Sequence, residues 1–187
     1  MSHETIADRY DRRARDLLAT VRAVPDDRWS SAAPCAGWTA RSVPLHIVET
    51  SRMFLGFIGL PLDDVASVDD DPAGAVAAAT GEVLRVLRDP DLAGTTFEGL
   101  LGTSSFESAV DRFLSFDLVV HRWDLARAAG LGDHEPMDPD DVRSLTEIAH
   151  AFPPEGMRGP KAFGPEVPVA DDADDQTKLL AFLGRRA

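Results

Sequence analysis

Three ionisable side chains, those of Asp117, His121 and Asp124, recur at spacings of four and three residues within FLSFDLVVHRWDLARAAG, residues 113–130. A helix turns about 100° per residue, so these spacings place all three on one face. Apolar residues surround that face. The opposite side, predicted to meet solvent, holds Ser115 and Arg122. An aspartate and a histidine four residues apart can hold one ion together, which would offset the cost of placing a carboxylate in an apolar core.

A second predicted helix adds another histidine on an inner face, His46. With Asp117 and His121 it completes a set of two imidazoles and one carboxylate. That set suits zinc, or another first-row divalent ion such as nickel, and leaves one coordination position open. Asp124 is predicted to accept a hydrogen bond from the other ring nitrogen of His121 and so fix its tautomer. The alternative for Asp124 is a cap or a pair with Arg127.

Other residues near these donors complete the candidate site. Thr50 falls beside His46, and Trp38 and Trp123 flank the two donor helices, either as pocket walls or as core. Cys35 stands just before a predicted helix start, where a thiolate is favoured, or is a small buried residue under Trp38. A closed structural metal site would need a fourth ligand. The candidates for that ligand are Cys35 and His150.

Four amphipathic segments must position these residues. Their predicted bounds are 3–24, about 39–58 with Thr39 as N-cap, 72–88, and 105–129 closed by Gly130. Between the third and fourth, TTFEGLLGT predicts either a hairpin turning at Glu98-Gly99 or an irregular crossover.

Beyond Gly130 the pattern predicts a helix over 139–151 and a last amphipathic turn, QTKLLAFLG. Aspartate runs at 69–71, 138–141 and 171–175 each precede a predicted helix, where carboxylates cap free N–H groups. We therefore expect an all-α fold, a four-helix bundle with an irregular crossover and a C-terminal tail carrying short helices. The chain is predicted to form one domain over 1–187, with the bundle in 1–130 and the tail, 131–187, wrapped around it.

Composition narrows the classes of partner. The 187 residues carry a formal charge of −13, which argues against nucleic acid and anionic membranes as partners. The longest nearly apolar run, 53–62, is too short to span a bilayer, and the charged N-terminus has no signal-peptide pattern. A single cysteine, Cys35, fits a reducing compartment. A cytoplasmic protein that binds small molecules or other proteins is the expectation.

The segment PCAGWTARSVPLHIVE, residues 34–49, resembles the P-C-x-G-W-[ST]…H segment of the mycothiol-dependent maleylpyruvate isomerase family, within the wider DinB-like metal-binding four-helix bundles. DLVVHRWDLARAAG, residues 117–130, resembles that family's second metal-binding helix. The tail FGPEVPVADDADDQTKLLAFLGR, residues 163–185, is similar to that of a single-domain subgroup described only as metal-binding proteins. The resemblance thus implies a DinB-like bundle.

Carried over residue by residue, the resemblance implies metal ligands at His46, Asp117 and His121, the three that helical spacing also indicates. It further implies mycothiol as the thiol co-substrate. Two departures stand out. The isomerase has a glutamate where this chain has Asp117, and it has a C-terminal domain where this chain has a short tail. The resemblance therefore supports the scaffold and the metal more than the isomerisation.

Three functions are compatible with this pattern. The first is a metal- and thiol-dependent isomerase or S-transferase, in which the thiol adds to a small electrophile. The second is a non-catalytic metal- or ligand-binding helical module. The third is a metal-free bundle whose Asp117, His121 and Asp124 form a hydrogen-bonded row. Leu45 and Val48, predicted to be exposed on the second helix, indicate contact with the tail or with a second copy in a homodimer.

Overall fold

Four long helices dominate the computed structural model, which describes residues 4–99, 102–152, 158 and 163–186. They are α1 (Ile6–Ala23), α2 (Ser42–Phe57), α3 (Pro72–Leu87) and α6 (Ser115–Ala129). The shorter elements are α4 (Pro90–Ala93), β1 (Thr96–Gly99), β2 (Gly102–Ser105), α5 (Phe106–Ala109), α7 (Pro139–Ala151) and α8 (Asp175–Phe182). Single 3₁₀ turns occupy Asp26–Arg28 and Gly132–His134.

The long helices form a bundle in which α1 and α2 each pack against both α3 and α6. Its core is aliphatic and aromatic, with fully buried residues from every long helix, among them Leu17, Leu55, Val83 and Leu125. The predicted all-α bundle with short helices in the tail is confirmed. Within the described ranges, no helix is both long and apolar enough to cross a membrane.

Aspartates of the three acidic runs cap α3, α7 and α8, as predicted. Asp71 accepts a hydrogen bond from the backbone N–H of Gly74 at the start of α3. Asp138 and Asp174 do the same at the starts of α7 and α8. These carboxylates satisfy N–H groups that have no partner within the helix.

The prediction that Thr39 caps α2 is wrong, because the helix begins three residues later, at Ser42. The reason lies in Pro44, which lacks an N–H and clashes with the carbonyl four residues earlier in a helix interior. A start at Ser42 keeps Pro44 in the first turn, where neither restriction applies. The backbone N–H of Thr39 instead donates to the hydroxyl of Ser42 at 3.0 Å.

The segment between α4 and α5 is a two-stranded antiparallel hairpin, one of the two predicted alternatives. The predicted position of its turn is wrong. Glu98 and Gly99 are paired strand residues, opposite Thr103 and Gly102, and the connection at 100–101 lies outside the described residues. Gly102, the first residue of β2, has a φ of 93°, which only glycine adopts readily.

The helix that contains Asp117 is interrupted by a π turn. Val110–Leu114 form this turn between α5 and α6, so that Phe106–Ala129 run as one helical segment. A π turn holds more than the usual 3.6 residues and rotates the residues after it about the helix axis. Gly130, at a φ of 72°, ends α6 as predicted.

A second apolar core joins the outer face of α6 to the tail. Its almost completely buried members include Phe116, Val120, Trp123, Leu145, Leu179, Leu180 and Leu183. Because α7 and α8 cover this face, α6 is buried on nearly all sides. The prediction that Ser115 faces solvent is therefore wrong, since its exposed fraction is 0%. The guanidinium of Arg122 is also half-buried and donates to the carbonyls of His134 and Pro136.

An ion-pair cluster fastens α7 to α1. The carboxylate of Asp141 accepts hydrogen bonds from the guanidinium groups of Arg12 and Arg13, with shortest distances of 2.8 and 2.7 Å. Arg13 also donates to the hydroxyl of Ser115 at 2.8 Å. Arg13 and Asp141 are both almost completely buried, so each charge depends on the other.

Candidate metal centre

Side chains from α2 and α6 bring His46, Asp117 and His121 together on one side of the bundle. One donor atom from each lies within 4.8 Å of the others. His46 Nε2 is 3.1 Å from Asp117 Oδ2, and His121 Nε2 is 3.9 Å from Asp117 Oδ1. The carboxylate of Asp117 thus bonds one histidine and lies near the other. We call these three residues the inner donor group.

The inner donor group is open to solvent on one side. The side chains of His46 and Asp117 are each exposed by about a quarter, whereas His121 is largely buried. A ligand could therefore reach these donors without displacing backbone. Two imidazoles, one carboxylate and an open side are what a catalytic zinc site requires.

Asp124 fixes the tautomer of His121. Its Oδ2 lies 2.9 Å from His121 Nδ1, and Asp124 has no exposed surface. Burial alone would raise the pKa of Asp124, but the hydrogen bond from His121 and the charge of Arg185 outweigh burial and hold that pKa at about 2. An ionised carboxylate only accepts hydrogen bonds. The proton of neutral His121 therefore sits on Nδ1, and the lone pair of Nε2 faces the inner donor group.

The alternative pairing of Asp124 with Arg127 is wrong, since Arg127 pairs with Glu135 at 3.1 Å. The hydrogen-bonded row predicted for a metal-free bundle is also interrupted. His121 bonds Asp124, but its 3.9 Å separation from Asp117 is too long for a hydrogen bond. Asp117 bonds His46 on the other helix instead.

The partner of Asp124 is Arg185, in the tail. Arg185 Nε and Nη2 donate to the two oxygens of Asp124 at 3.1 and 2.8 Å, and Nη2 also approaches Cys35 Sγ at 3.1 Å. Sequence reasoning missed Arg185, because 61 residues separate it from Asp124. One signal for it was the need of a buried carboxylate for a cation.

Cys35 lies beside this pair, with Sγ 3.4 Å from Asp124 Oδ2. Burial and the negative charge of Asp124 raise the pKa of the Cys35 thiol to about 12. Of the two alternatives for Cys35, the favoured thiolate is therefore wrong. Cys35 precedes a turn rather than the N-terminus of α2, so no helix dipole stabilises its anion.

The turn at Cys35 also places Trp38. The N–H of Trp38 donates to the carbonyl of Cys35 at 3.0 Å, and Gly37 between them has a φ of 78°. The Trp38 ring then stacks on His121, with centroids 5.2 Å apart, and lies 5.0 Å from the ring of His46. Trp38 thus covers both histidines from one side.

The remaining candidates are not members of the inner donor group. Trp123 belongs to the second core, two residues from His121 and so on the other side of α6. Thr50 follows His46 by one turn, and its hydroxyl donates to the His46 carbonyl at 2.8 Å. His150 stacks on Phe182 in the tail, 4.3 Å between ring centroids, and does not belong to the inner donor group.

A second set of donors shares His121 with the first. Cys35, His121 and Asp124 also bring one ligand atom each within 4.8 Å of the others. We call this set the outer donor group. Because the guanidinium of Arg185 contacts both Cys35 and Asp124, a cation already lies against this group. The inner donor group is therefore the better candidate for a divalent ion.

Comparison with known proteins gives two kinds of match. The sequence model described as "Mycothiol maleylpyruvate isomerase N-terminal domain" matches residues 10–126. Two uncharacterized proteins of Mycobacterium tuberculosis, from strains CDC 1551 / Oshkosh and ATCC 25618 / H37Rv, are each 28% identical over 186 residues, which is 99% of this chain and 96% of theirs. No solved structure matches. The matched residues cover α1 from Tyr10 onwards, all of α2 and α3, and most of α6. Because the match spans more than half of the chain, this chain belongs to the mycothiol maleylpyruvate isomerase N-terminal domain family.

Proposed function

We propose that this chain binds one divalent metal ion, zinc or nickel, through His46, Asp117 and His121. With a low-molecular-weight thiol, it then acts as an isomerase or S-transferase on a small electrophile. The observation that carries the proposal is the inner donor group, in which one carboxylate and two imidazole nitrogens converge within 4.8 Å. Mycothiol is the thiol we expect, because the matched family is described by it.

The open side of the donor group favours catalysis over a structural role. Structural zinc sites are closed by a fourth protein ligand, whereas catalytic sites keep a position for water or substrate. The two residues predicted as fourth ligands do not close this site. His150 packs against Phe182, and Cys35 belongs to the outer donor group.

Apolar side chains continue from the donor group along α2. One stripe of α2 contains four residues at spacings of four, three and four positions: His46, Thr50, Met53 and Phe57. Met53 and Phe57 are exposed by 49% and 43%, and Phe57 stacks on Phe97 of the hairpin. This stripe offers an apolar surface for the carbon skeleton of the electrophile.

A bound divalent ion lowers the pKa of a coordinating thiol, so that the sulfur is an effective nucleophile near neutral pH. Residues around the inner donor group favour binding of that thiol at the ion. Asp124 keeps the lone pair of His121 Nε2 directed at the inner donor group. Trp38 shields both imidazoles from water on one side, and the exposed side at His46 and Asp117 is where thiol and electrophile enter.

The experiment uses the metal-loaded protein with mycothiol and two electrophiles, maleylpyruvate for isomerisation and an alkylating bimane for S-transfer. We expect thiol-dependent turnover of one of them by the wild type and its loss in Asp117→Ala. The matched control is His150→Ala, which removes an exposed histidine and should keep full activity. A wild type that binds metal but turns over neither compound, with a range of thiols, would instead support a non-catalytic metal-binding module.

A further inference from the structure

Arg185 is a charged residue of the tail that reaches the back of the candidate metal centre. It is 5% exposed, and its guanidinium makes four contacts. It bonds both oxygens of Asp124, approaches Cys35 Sγ at 3.1 Å, and donates to the Leu183 carbonyl at 3.0 Å. Arg185 lies outside residues 10–126, so the family match says nothing about it.

The two donor groups compete for one imidazole. His121 contributes to the inner group with His46 and Asp117, and to the outer group with Cys35 and Asp124. Its Nδ1 faces Asp124 at 2.9 Å and its Nε2 faces Asp117 at 3.9 Å. The position of the proton on the ring therefore decides which group can use His121 as a ligand.

We propose, on the basis of the proposed function, that Arg185 is a positioning residue that confines the metal ion to the inner donor group. Its guanidinium takes the place of a cation beside Asp124 and Cys35, and so excludes a metal ion from the outer group. Its two hydrogen bonds to Asp124 also hold Oδ2 of that carboxylate 2.9 Å from His121 Nδ1, so that Nε2 of the same ring is directed at the inner group.

Loss of the charge at Arg185 would make the outer donor group able to bind a metal ion. The outer donor group would then consist of a thiol, a carboxylate and an imidazole with no cation among them. Thiolate, imidazole and carboxylate are the protein ligands of zinc, and metal binding deprotonates a coordinating thiol. The ion is therefore expected to move towards Cys35, and affinity at the inner group to fall about 10- to 100-fold, as it does when outer-shell partners of metal ligands are lost.

The tail does not depend on Arg185 alone for its docking. Leu179, Leu180 and Leu183 of the same segment are almost completely buried in the second core. A substitution of Arg185 should therefore leave α8 in place. The neighbouring Arg186 is exposed and provides a control that removes the same charge from the same segment.

The test is a titration of metal-free protein with Co²⁺ alone, followed by absorption spectroscopy. A thiolate ligand gives a sulfur-to-cobalt charge-transfer band in the near ultraviolet, which nitrogen and oxygen ligands do not give. We expect one bound Co²⁺ without this band in the wild type and in Arg186→Gln. Arg185→Gln should bind Co²⁺ about 10- to 100-fold more weakly and show the band. Adding Cys35→Ser should abolish the band, and Arg185→Lys should suppress it by restoring the charge.

The outcomes separate this proposal from the function on which it rests. If Arg185→Gln binds Co²⁺ as the wild type does and shows no band, the positioning role is wrong while the inner site stands. A thiolate band in the wild type also overturns the positioning role, and this result does not depend on any variant folding. A wild type that binds no Co²⁺ overturns both the positioning role and the proposed function.

Discussion

At the scale of single residues, a buried carboxylate organises the candidate metal centre from behind. Asp124 is fully buried, yet the His121 hydrogen bond and the Arg185 charge keep its pKa low and its charge in place. An isolated carboxylate in this position would bind a proton instead. The negative charge of Asp124 is therefore stable because His121 and Arg185 both donate hydrogen bonds to it. In turn, the Asp124 carboxylate orients the ring of His121, a proposed metal ligand.

Cys35 is expected to be an unreactive thiol in the folded protein. Burial, with the charge of Asp124, raises its pKa to about 12 from an ordinary 9.0, which lowers the thiolate fraction about a thousandfold at neutral pH. A disulfide reagent should therefore modify Cys35 at least about a hundredfold more slowly in native protein than in protein unfolded with guanidinium. Similar rates in the two states would show that the thiol is neither buried nor held neutral as described.

The inner donor group could be predicted from the sequence because two of its members are local to one helix. Asp117 and His121 lie one turn apart, and a 3.6-residue period is enough to place them together. His46 required only the assumption that two helices face each other. Cys35 and Arg185 could not be found in this way, because their contacts with Asp124 join distant segments and follow no period.

At the scale of elements, the donor positions depend on two departures from regular helix. Pro44 delays the start of α2 to Ser42, and a π turn at Val110–Leu114 precedes Asp117 by three residues. The first departure follows from the chemistry of proline, although our prediction placed the start too early. The π turn has no residue signature in VDRFL, so no sequence pattern predicts it.

The contact between α1 and α7 is expected to contribute strongly to stability. Asp141→Asn removes the negative partner of Arg12 and of the buried Arg13, and loss of one partner of a buried pair costs about 3–5 kcal/mol. The free energy of unfolding, measured by urea denaturation at neutral pH, should fall by about that amount. The matched control is Asp140→Asn, because that carboxylate is 79% exposed and its loss should cost about 0.5 kcal/mol or less.

The same pair predicts an acid dependence. Burial opposes the charge of Asp141, but the bonds from Arg12 and Arg13 outweigh burial and lower its pKa below the ordinary 3.8. A lowered folded-state pKa stabilises the protein above the unfolded value, and this contribution is lost as the pH falls below it. The difference between wild type and Asp141→Asn should therefore shrink below about pH 4. A difference that does not change with pH would contradict the ion pair.

At the scale of the whole molecule, the tail changes which surfaces of the bundle are buried. The expectation that Ser115 is exposed treated α6 as a surface helix, but α7 and α8 cover that side and create the second core. Val48 of α2, also predicted to be exposed, is 4% exposed, whereas Leu45 does face solvent. Amphipathic patterns identify an apolar face but not a second layer, which depends on where the tail returns. The homodimer stays a prediction.

The single domain predicted for 1–187 implies that both cores unfold together. Leu180→Ala, in the second core, should destabilise the chain by about 2–5 kcal/mol and shift one common transition. Leu45→Ala, at an exposed position, is the control and should have little effect. The measurement is urea unfolding followed by tryptophan fluorescence and by circular dichroism. Two separated transitions would mean that the tail is a separate unit.

The central claim, that one divalent ion is held by His46, Asp117 and His121, is tested most directly by elemental analysis of untagged protein after dialysis without chelator. The wild type and the control His150→Ala are expected to contain about one equivalent of zinc or nickel. His121→Ala should contain almost none while keeping its helix content by circular dichroism. Wild-type protein without metal, or His121→Ala that retains its full equivalent, would contradict the claim.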